Sequence, residues 1–82
     1  MIFDEVVNGF RISEGGAQQK FDIKPDITTL GKALGNGYAI NAILGNNEVM
    51  NSSKKTFMSS TFWSEGVGFA AGLSTLKEME KL

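Results

Sequence analysis

The sequence predicts part of an α/β domain, in which a mostly parallel β-sheet is flanked by helices. Short apolar runs rich in β-branched residues are typical of buried strands, a C-terminal segment has helical periodicity, and glycine-rich stretches connect them. In 82 residues these elements are too few to cover both faces of a parallel sheet. We therefore expect residues 1–82 to be a piece of a larger domain.

Three strands are predicted in the first half of the chain. Residues 1–7 begin with an apolar run that leads into two acids, Asp4 and Glu5, and are typical of the last part of a strand buried on both faces. Residues 8–19 have no sustained period and are predicted to form a long loop. The β-branched residues 27–30 predict a second strand, and the alternating pattern of 38–44 predicts a third. The connection 31–37 contains three glycines and carries Lys32, so this lysine lies on a tight turn between strands.

Helices are predicted in the second half. Asn46 is expected to cap a single helical turn that reaches Met50. Residues 64–82 have apolar residues three or four apart, which indicates an amphipathic helix. Its apolar positions are Phe69, Leu73, Leu76 and Met79. Small residues fill the first half of this helix, so a neighbouring backbone can approach it closely.

Composition excludes several kinds of chemistry. The chain has no cysteine and no histidine, so a disulfide framework, a thiolate nucleophile, a zinc finger and a Ser-His-Asp triad are all excluded. We assign no metal ligands. The net charge of −1 and the lack of a basic block argue against nucleic-acid or anionic-membrane partners. No membrane span or signal peptide is recognisable, and we expect a cytoplasmic location.

The glycines around Lys32 partly match two nucleotide-binding motifs. A P-loop would need glycine at position 26 and serine or threonine at position 33, where the chain has Asp26 and Ala33. A dinucleotide fingerprint that starts at Gly35 would need a third glycine at the position of Ile40. Both motifs are therefore absent.

An acid at the end of the first strand and a lysine on a glycine-rich turn remain as candidate functional residues. Ligands of open α/β sheets bind beyond the carboxyl ends of the strands, where Asp4 is expected to lie. From position alone, Asp4 can equally be a capping acid, and Lys32 can be a solvated surface lysine. Thr61 and the two serines before it can cap a helix or bind a phosphate.

The order of the motifs resembles a known family. Ile2-Phe3-Asp4-Glu5-Val6 is followed by Gly9-Phe10-Arg11, by Gly16-Ala17-Gln18, and by the run from Pro25 to Gly37. This arrangement resembles the class III pyridoxal-phosphate (PLP) aminotransferases, and among them the glutamate-1-semialdehyde 2,1-aminomutase-like members. The resemblance covers nearly the whole chain. It implies that residues 1–82 are the central fragment of the PLP-binding large domain of a fold-type I enzyme, with no complete second domain. Such an enzyme transfers an amino group between an amino acid or amine and a carbonyl acceptor.

The resemblance also implies roles for four residues. Asp4 matches the acid that pairs with the pyridine nitrogen of PLP, and Val6 matches the aliphatic residue that packs on the ring. Lys32 matches the lysine that forms the Schiff base with the cofactor. Thr61 matches the threonine that reaches the phosphate of the cofactor across a homodimer.

Large parts of the family pattern lie outside these 82 residues. The upstream loop that holds the phosphate and the C-terminal small domain are absent, so we expect the isolated chain to be a poor enzyme. The alternative hypothesis is a truncated, non-catalytic remnant that acts as a structural or interaction piece. Residues 62–66 differ from those of the aminomutase proper, which leaves aminotransferase and aminomutase activity both open.

Overall fold

Six regular elements form the part of the chain that the computed structural model describes, residues 1–60 and 63–82. In chain order they are β1 (Ile2–Asp4), α1 (Gly16–Lys20), β2 (Ile27–Leu30), β3 (Ala42–Gly45), α2 (Asn47–Ser52) and α3 (Gly66–Met79). Short 3₁₀ helices at Lys32–Leu34 and Ser53–Lys55 follow β2 and α2. The α/β class predicted from the sequence is confirmed.

The three strands form one mixed sheet in the order β1-β2-β3. β1 is parallel to β2, with Asp4 opposite Thr29, whereas β3 is antiparallel to β2, with Leu30 opposite Ala42. The part of the sheet formed by the described residues is therefore mixed, with one parallel and one antiparallel pairing. Because β1 and β2 run in the same direction, their carboxyl ends meet at one edge, and β3 begins at this edge.

β1 differs from the buried strand that its apolar run predicts. It pairs only with β2 and forms an outer strand of the described sheet. Ile2 is 66% exposed, Phe3 is half-buried and Asp4 is exposed. The prediction of a strand buried on both faces is wrong for this chain, because β1 packs mainly beside β2 within the sheet and the described residues provide no layer that covers both of its faces.

The predicted loop 8–19 ends in a helix. α1 begins at Gly16, and its first backbone N–H groups are bound by the Glu5 carboxylate: Ala17 N–H donates to Oε1 at 2.9 Å and Gln18 N–H to Oε2 at 3.2 Å. The loop prediction is therefore wrong for residues 16–19. A helix of one turn shows no periodicity, and its capping residue lies twelve positions earlier in the sequence.

The third strand is shorter than predicted. It spans Ala42–Gly45, whereas residues 38–41 lie outside it, and Tyr38 N–H closes a turn on the carbonyl of Gly35 at 3.2 Å. The prediction for α2 is confirmed, since the side chain of Asn46 accepts a hydrogen bond from Val49 N–H at 2.9 Å. This bond satisfies one of the free N–H groups in the first turn of the helix.

α3 packs through its small residues. Gly68 and Gly72 are buried, and a Cβ atom on Gly68 would collide with the carbonyl oxygen of Ala39. A Cβ atom on Gly72 would lie 3.4 Å from Ile40 Cδ1. The close backbone approach expected from the glycines is therefore confirmed. Leu34, which is 6% exposed, lies under the same face of the helix.

The predicted apolar face of α3 is mostly exposed. Phe69, Leu73 and Leu76 remain 57%, 54% and 46% exposed, because the helix turns its glycines toward the rest of the chain. The chain exposes 6215 Å² in total, against about 4,800 Å² for a compact monomer of this mass. The excess shows that several apolar faces have no covering layer. None of the helices in the described ranges is long and apolar enough to cross a bilayer.

The packing of α3 predicts opposite effects for the same substitution at two positions. Gly68→Ala should lower the free energy of unfolding by about 1–3 kcal/mol, because the new methyl group meets a backbone carbonyl that cannot move aside freely. Gly66→Ala is the matched control, since a Cβ atom there has nothing within 4 Å. It should leave stability unchanged or raise it by up to about 1 kcal/mol through helix propensity. Urea denaturation followed by circular dichroism measures both, and equal effects would contradict the packing.

Candidate functional site

The two residues singled out for chemistry, Asp4 and Lys32, lie at the same edge of the sheet. Asp4 is the last residue of β1, and Lys32 comes two residues after the end of β2. In the parallel register Asp4 lies opposite Thr29, so both chain segments leave the sheet side by side. The pairing therefore brings to one edge two residues that are far apart in the sequence, as expected for ligand sites of α/β sheets.

The Asp4 carboxylate is hydrogen-bonded to the protein through one of its two oxygens. Its Oδ1 accepts hydrogen bonds from Val6 N–H at 3.1 Å and from the Thr29 hydroxyl at 3.3 Å. The first bond is the turn-capping contact, and the second fixes the carboxylate to the neighbouring strand. Within residues 1–60 and 63–82, Oδ2 has no hydrogen-bond partner, and the residue is exposed. One oxygen is thus oriented by the protein, and the other is available to a ligand.

Lys32 begins a 3₁₀ helix in an unusual backbone conformation. Its φ angle is 39°, in the left-handed region that non-glycine residues rarely adopt at a cost of about 1–2 kcal/mol. The conformation is stabilised by two N–H groups, of Gly35 and Asn36, which donate to the Lys32 carbonyl at 3.1 and 3.0 Å. The side chain is exposed. Phe10, Asp22 and Asn36 also have a positive φ, so the place of Lys32 at the sheet edge, and not this backbone conformation, distinguishes it.

Gly31, the residue before Lys32, packs beside Val6. A Cβ atom at Gly31 would collide with Asn41 Oδ1 and lie 3.4 Å from Val6 Cγ1, so the backbone directly before Lys32 packs beside the half-buried Val6. Three predicted site residues, Asp4, Val6 and Lys32, are therefore brought together by the fold. Thr61, the fourth, lies outside the described residues.

Sequence reasoning missed two polar residues next to this site. Glu5 is 1% exposed and Thr28 is 4% exposed, which makes them the buried polar side chains of the described part of the chain. Glu5 follows Asp4 directly, and Thr28 lies in β2. An acidic residue inside an apolar run was the signal for Glu5, because a carboxylate is rarely buried unless hydrogen bonds satisfy it.

The charges at the opposite end of the strands are separate from the site. The Met1 ammonium lies 2.7 Å from Asp26 Oδ2, and this hydrogen bond and its charge lower the pKa of the Asp26 carboxyl group. A groove between Phe10-Arg11 and α3 is not lined by any of the three site residues. The candidate site is therefore an open edge of the sheet that carries an amine, a carboxylate and an aliphatic side chain.

Comparison with known proteins finds similar sequences and a similar backbone arrangement in one protein family. The family model "Aminotransferase class-III" matches residues 1–82. Glutamate-1-semialdehyde 2,1-aminomutase from Nitrosopumilus maritimus (strain SCM1) is 47% identical over 85 residues, which cover 100% of this chain and 20% of that protein. The 3-aminobutyryl-CoA aminotransferase from Cloacimonas acidaminovorans (strain Evry) is 46% identical over 82 residues, which cover 99% of this chain and 20% of that protein.

A solved structure shows that the backbone arrangement recurs. The PLP internal aldimine form of the Sphingopyxis sp. MTA144 FumI protein superposes with a TM-score of 0.91 at 32% identity, over 99% of this chain and 20% of that one. The chain thus spans about one fifth of the length of the relatives it matches. Since the family model covers all 82 residues, the chain belongs to the class III aminotransferase family.

Proposed function

We propose that this chain is the cofactor-facing centre of the large domain of a PLP-dependent enzyme, which transfers an amino group between an amine or amino acid and a carbonyl acceptor. The observation that carries the proposal is the placement of Lys32, two residues after the end of β2, at the sheet edge where Asp4 ends β1. The related FumI structure is a PLP internal aldimine form, which supports PLP as the cofactor. Membership of the class III aminotransferase family supports amino-group transfer as the class of reaction.

The side chains at the sheet edge fit the chemical groups of PLP. The uncommitted Oδ2 of Asp4 suits a protonated ring nitrogen, because opposite charges stabilise each other. Val6 offers an aliphatic surface for a flat ring, and Gly31, which has no side chain, lets the lysine segment pack close beside it. The proposed role of Thr61, binding the phosphate of a cofactor in the second protomer of a homodimer, rests on the family resemblance alone.

Asp4 acts through its charge. Bound PLP supplies an electron sink for the bonding electrons released at the substrate's α-carbon. The Asp4 carboxylate would favour the protonated form of the ring nitrogen of bound PLP, which an amide at this position would not do. The bonds from Val6 N–H and Thr29 keep the carboxylate in this orientation.

Lys32 acts through its Nζ atom. When unprotonated, this amine would hold PLP through the cofactor aldehyde, and once free of it would serve as the group that carries a proton at the reacting carbons. An arginine would stay protonated and cannot do either. The 3₁₀ helix that begins at Lys32 holds the backbone of this residue at the sheet edge.

Amino transfer is the chemistry that both named relatives share, although one is an aminomutase and the other an aminotransferase. The two are 47% and 46% identical to this chain, so identity favours neither activity. A non-catalytic structural piece is the second candidate, and a total exposed surface of 6215 Å², larger than that of a compact monomer of this mass, favours it. The two candidates differ in one property, the ability of Lys32 to bind the cofactor aldehyde.

Covalent trapping of PLP tests the role of Lys32. The chain is incubated with PLP, reduced with borohydride and digested, and the modified peptide is identified by mass spectrometry. We expect one label per chain, on Lys32, and loss of this label in Lys32→Arg. Lys24→Arg is the matched control, since Lys24 is also exposed and should have no effect. Label spread evenly over the lysines would contradict the proposal and favour the structural piece.

The role of Asp4 predicts a change in the protonation of the cofactor ring. In Asp4→Asn the pKa of the ring nitrogen of bound PLP should fall by about 1–3 units, because the opposite charge beside it is removed. Asp22→Asn is the matched control: Asp22 is exposed, and its φ of 53° suits asparagine as well as aspartate. Nitrogen-15 NMR of labelled PLP measures the pKa, and equal values in both variants would contradict the role.

A further inference from the structure

Glu5 is the largest fully buried side chain of the described part of the chain, at 1% exposure. Three groups donate hydrogen bonds to its carboxylate: Ala17 N–H at 2.9 Å, Gln18 N–H at 3.2 Å and the Gln18 side-chain amide at 3.4 Å. Its backbone is bound as well, since Glu5 N–H donates to the Thr29 carbonyl at 2.9 Å and its own carbonyl accepts from Gly9 N–H at 2.8 Å. Glu5 is therefore tied to three separate segments.

The surroundings of Glu5 are shaped for a carboxylate. A Cβ atom at Gly16 would collide with Glu5 Oε2, and the φ angle of Gly16 is 75°, so glycine is needed for two independent reasons. The Gln18 carboxamide continues the network, because its oxygen accepts from the hydroxyl of the buried Thr28 at 3.4 Å. The network thus connects the end of β1 through α1 to β2.

The place of Glu5 in the chain links this network to the candidate site. Glu5 lies between Asp4 and Val6, and Lys32 follows β2, the strand to which the network connects. The backbone at Glu5 cannot shift without moving the two site residues on either side of it.

We propose that Glu5 is a positioning residue of the site: by anchoring the chain between Asp4 and Val6 to α1 and β2, its buried carboxylate sets the position of both side chains relative to Lys32. The inference rests on the proposed function in so far as Asp4 and Val6 face the cofactor. Glu5 itself does not touch the reacting atoms.

A carboxylate is required because every partner of the Glu5 side chain is a donor. In Glu5→Gln one oxygen becomes an NH₂ group, so the carboxamide can accept from only one of the two backbone N–H groups and meets the other donor to donor. The end of β1 must then move to relieve this contact. Gly16→Ala produces the same displacement from the opposite side, because its methyl group occupies the space of Oε2.

Hydrogen exchange of the cofactor-free chain tests the positioning directly. In Glu5→Gln and Gly16→Ala, the Val6 amide, which donates to Asp4 Oδ1, should exchange about tenfold faster than in the unmodified chain, the change expected for a shift of about 1.4 kcal/mol in local opening. Asn46→Ala is the control for a general loss of stability, since it removes the cap of the distant helix α2. Asn46→Ala should increase the exchange rate of the Val6 amide by no more than it increases the exchange rates of the other amides. An unchanged Val6 amide, or acceleration that matches the control, would overturn the proposal.

The affinity for PLP separates positioning from a purely structural role. Glu5→Gln should bind PLP about tenfold more weakly at a temperature where it is folded, whereas Asn46→Ala should differ from the unmodified chain by less than twofold. Glu5→Asp keeps the carboxylate on a shorter side chain, and its affinity for PLP should lie between those of Glu5→Gln and the unmodified chain. It serves as the test variant if Glu5→Gln does not fold. Unchanged affinity together with Lys32 labelling would overturn the proposal. If the unmodified chain is not labelled on Lys32, the proposed function fails, and Val6 exchange still decides whether Glu5 positions Asp4.

Discussion

The parallel pairing of β1 with β2 determines where the other parts of the chain lie. Strands that run in the same direction cannot be joined by a tight hairpin, so the chain must cross from the carboxyl end of β1 to the amino end of β2. α1 lies in this crossover, and the Glu5 carboxylate binds its first N–H groups to the end of β1. One buried charge thus holds the connection against the sheet. Because this crossover brings β2 alongside β1, Asp4 and Lys32 lie at the same edge of the sheet.

Sequence patterns predicted the elements whose determinants are local. β2 followed from its β-branched residues, and the start of α2 followed from Asn46, whose side chain binds an N–H group three residues later. α1 was missed because the carboxylate that binds its first turn comes from Glu5, twelve residues earlier than Ala17. For α3 the periodicity gave the correct element and the wrong buried face. A hydrophobic pattern identifies residues suited to burial, and glycines decide which face a backbone can approach.

The candidate site was predictable to the extent that its residues form a motif. Asp4, Val6 and Lys32 carry the resemblance to the family, and the fold brings them to one edge. No local pattern gives the left-handed φ of Lys32, because that conformation results from the hydrogen bonds of the 3₁₀ helix and the packing of Gly31. The support from Glu5 was also not predicted. Its function depends on donors in α1, an element that the sequence pattern does not show.

The glycine face of α3 has a mechanical consequence. Gly68 touches the carbonyl of Ala39, so at this point the helix meets backbone directly, without long side chains between the two. Side chains can change rotamer and absorb a displacement, whereas two backbones in contact transmit it, because closely packed interiors compress little. Ala39 lies seven residues after Lys32 on the same connection between β2 and β3. A movement of α3 would therefore move the backbone at Ala39, and with it the connection that carries Lys32. In this way the helix supports the position of the Lys32 amine.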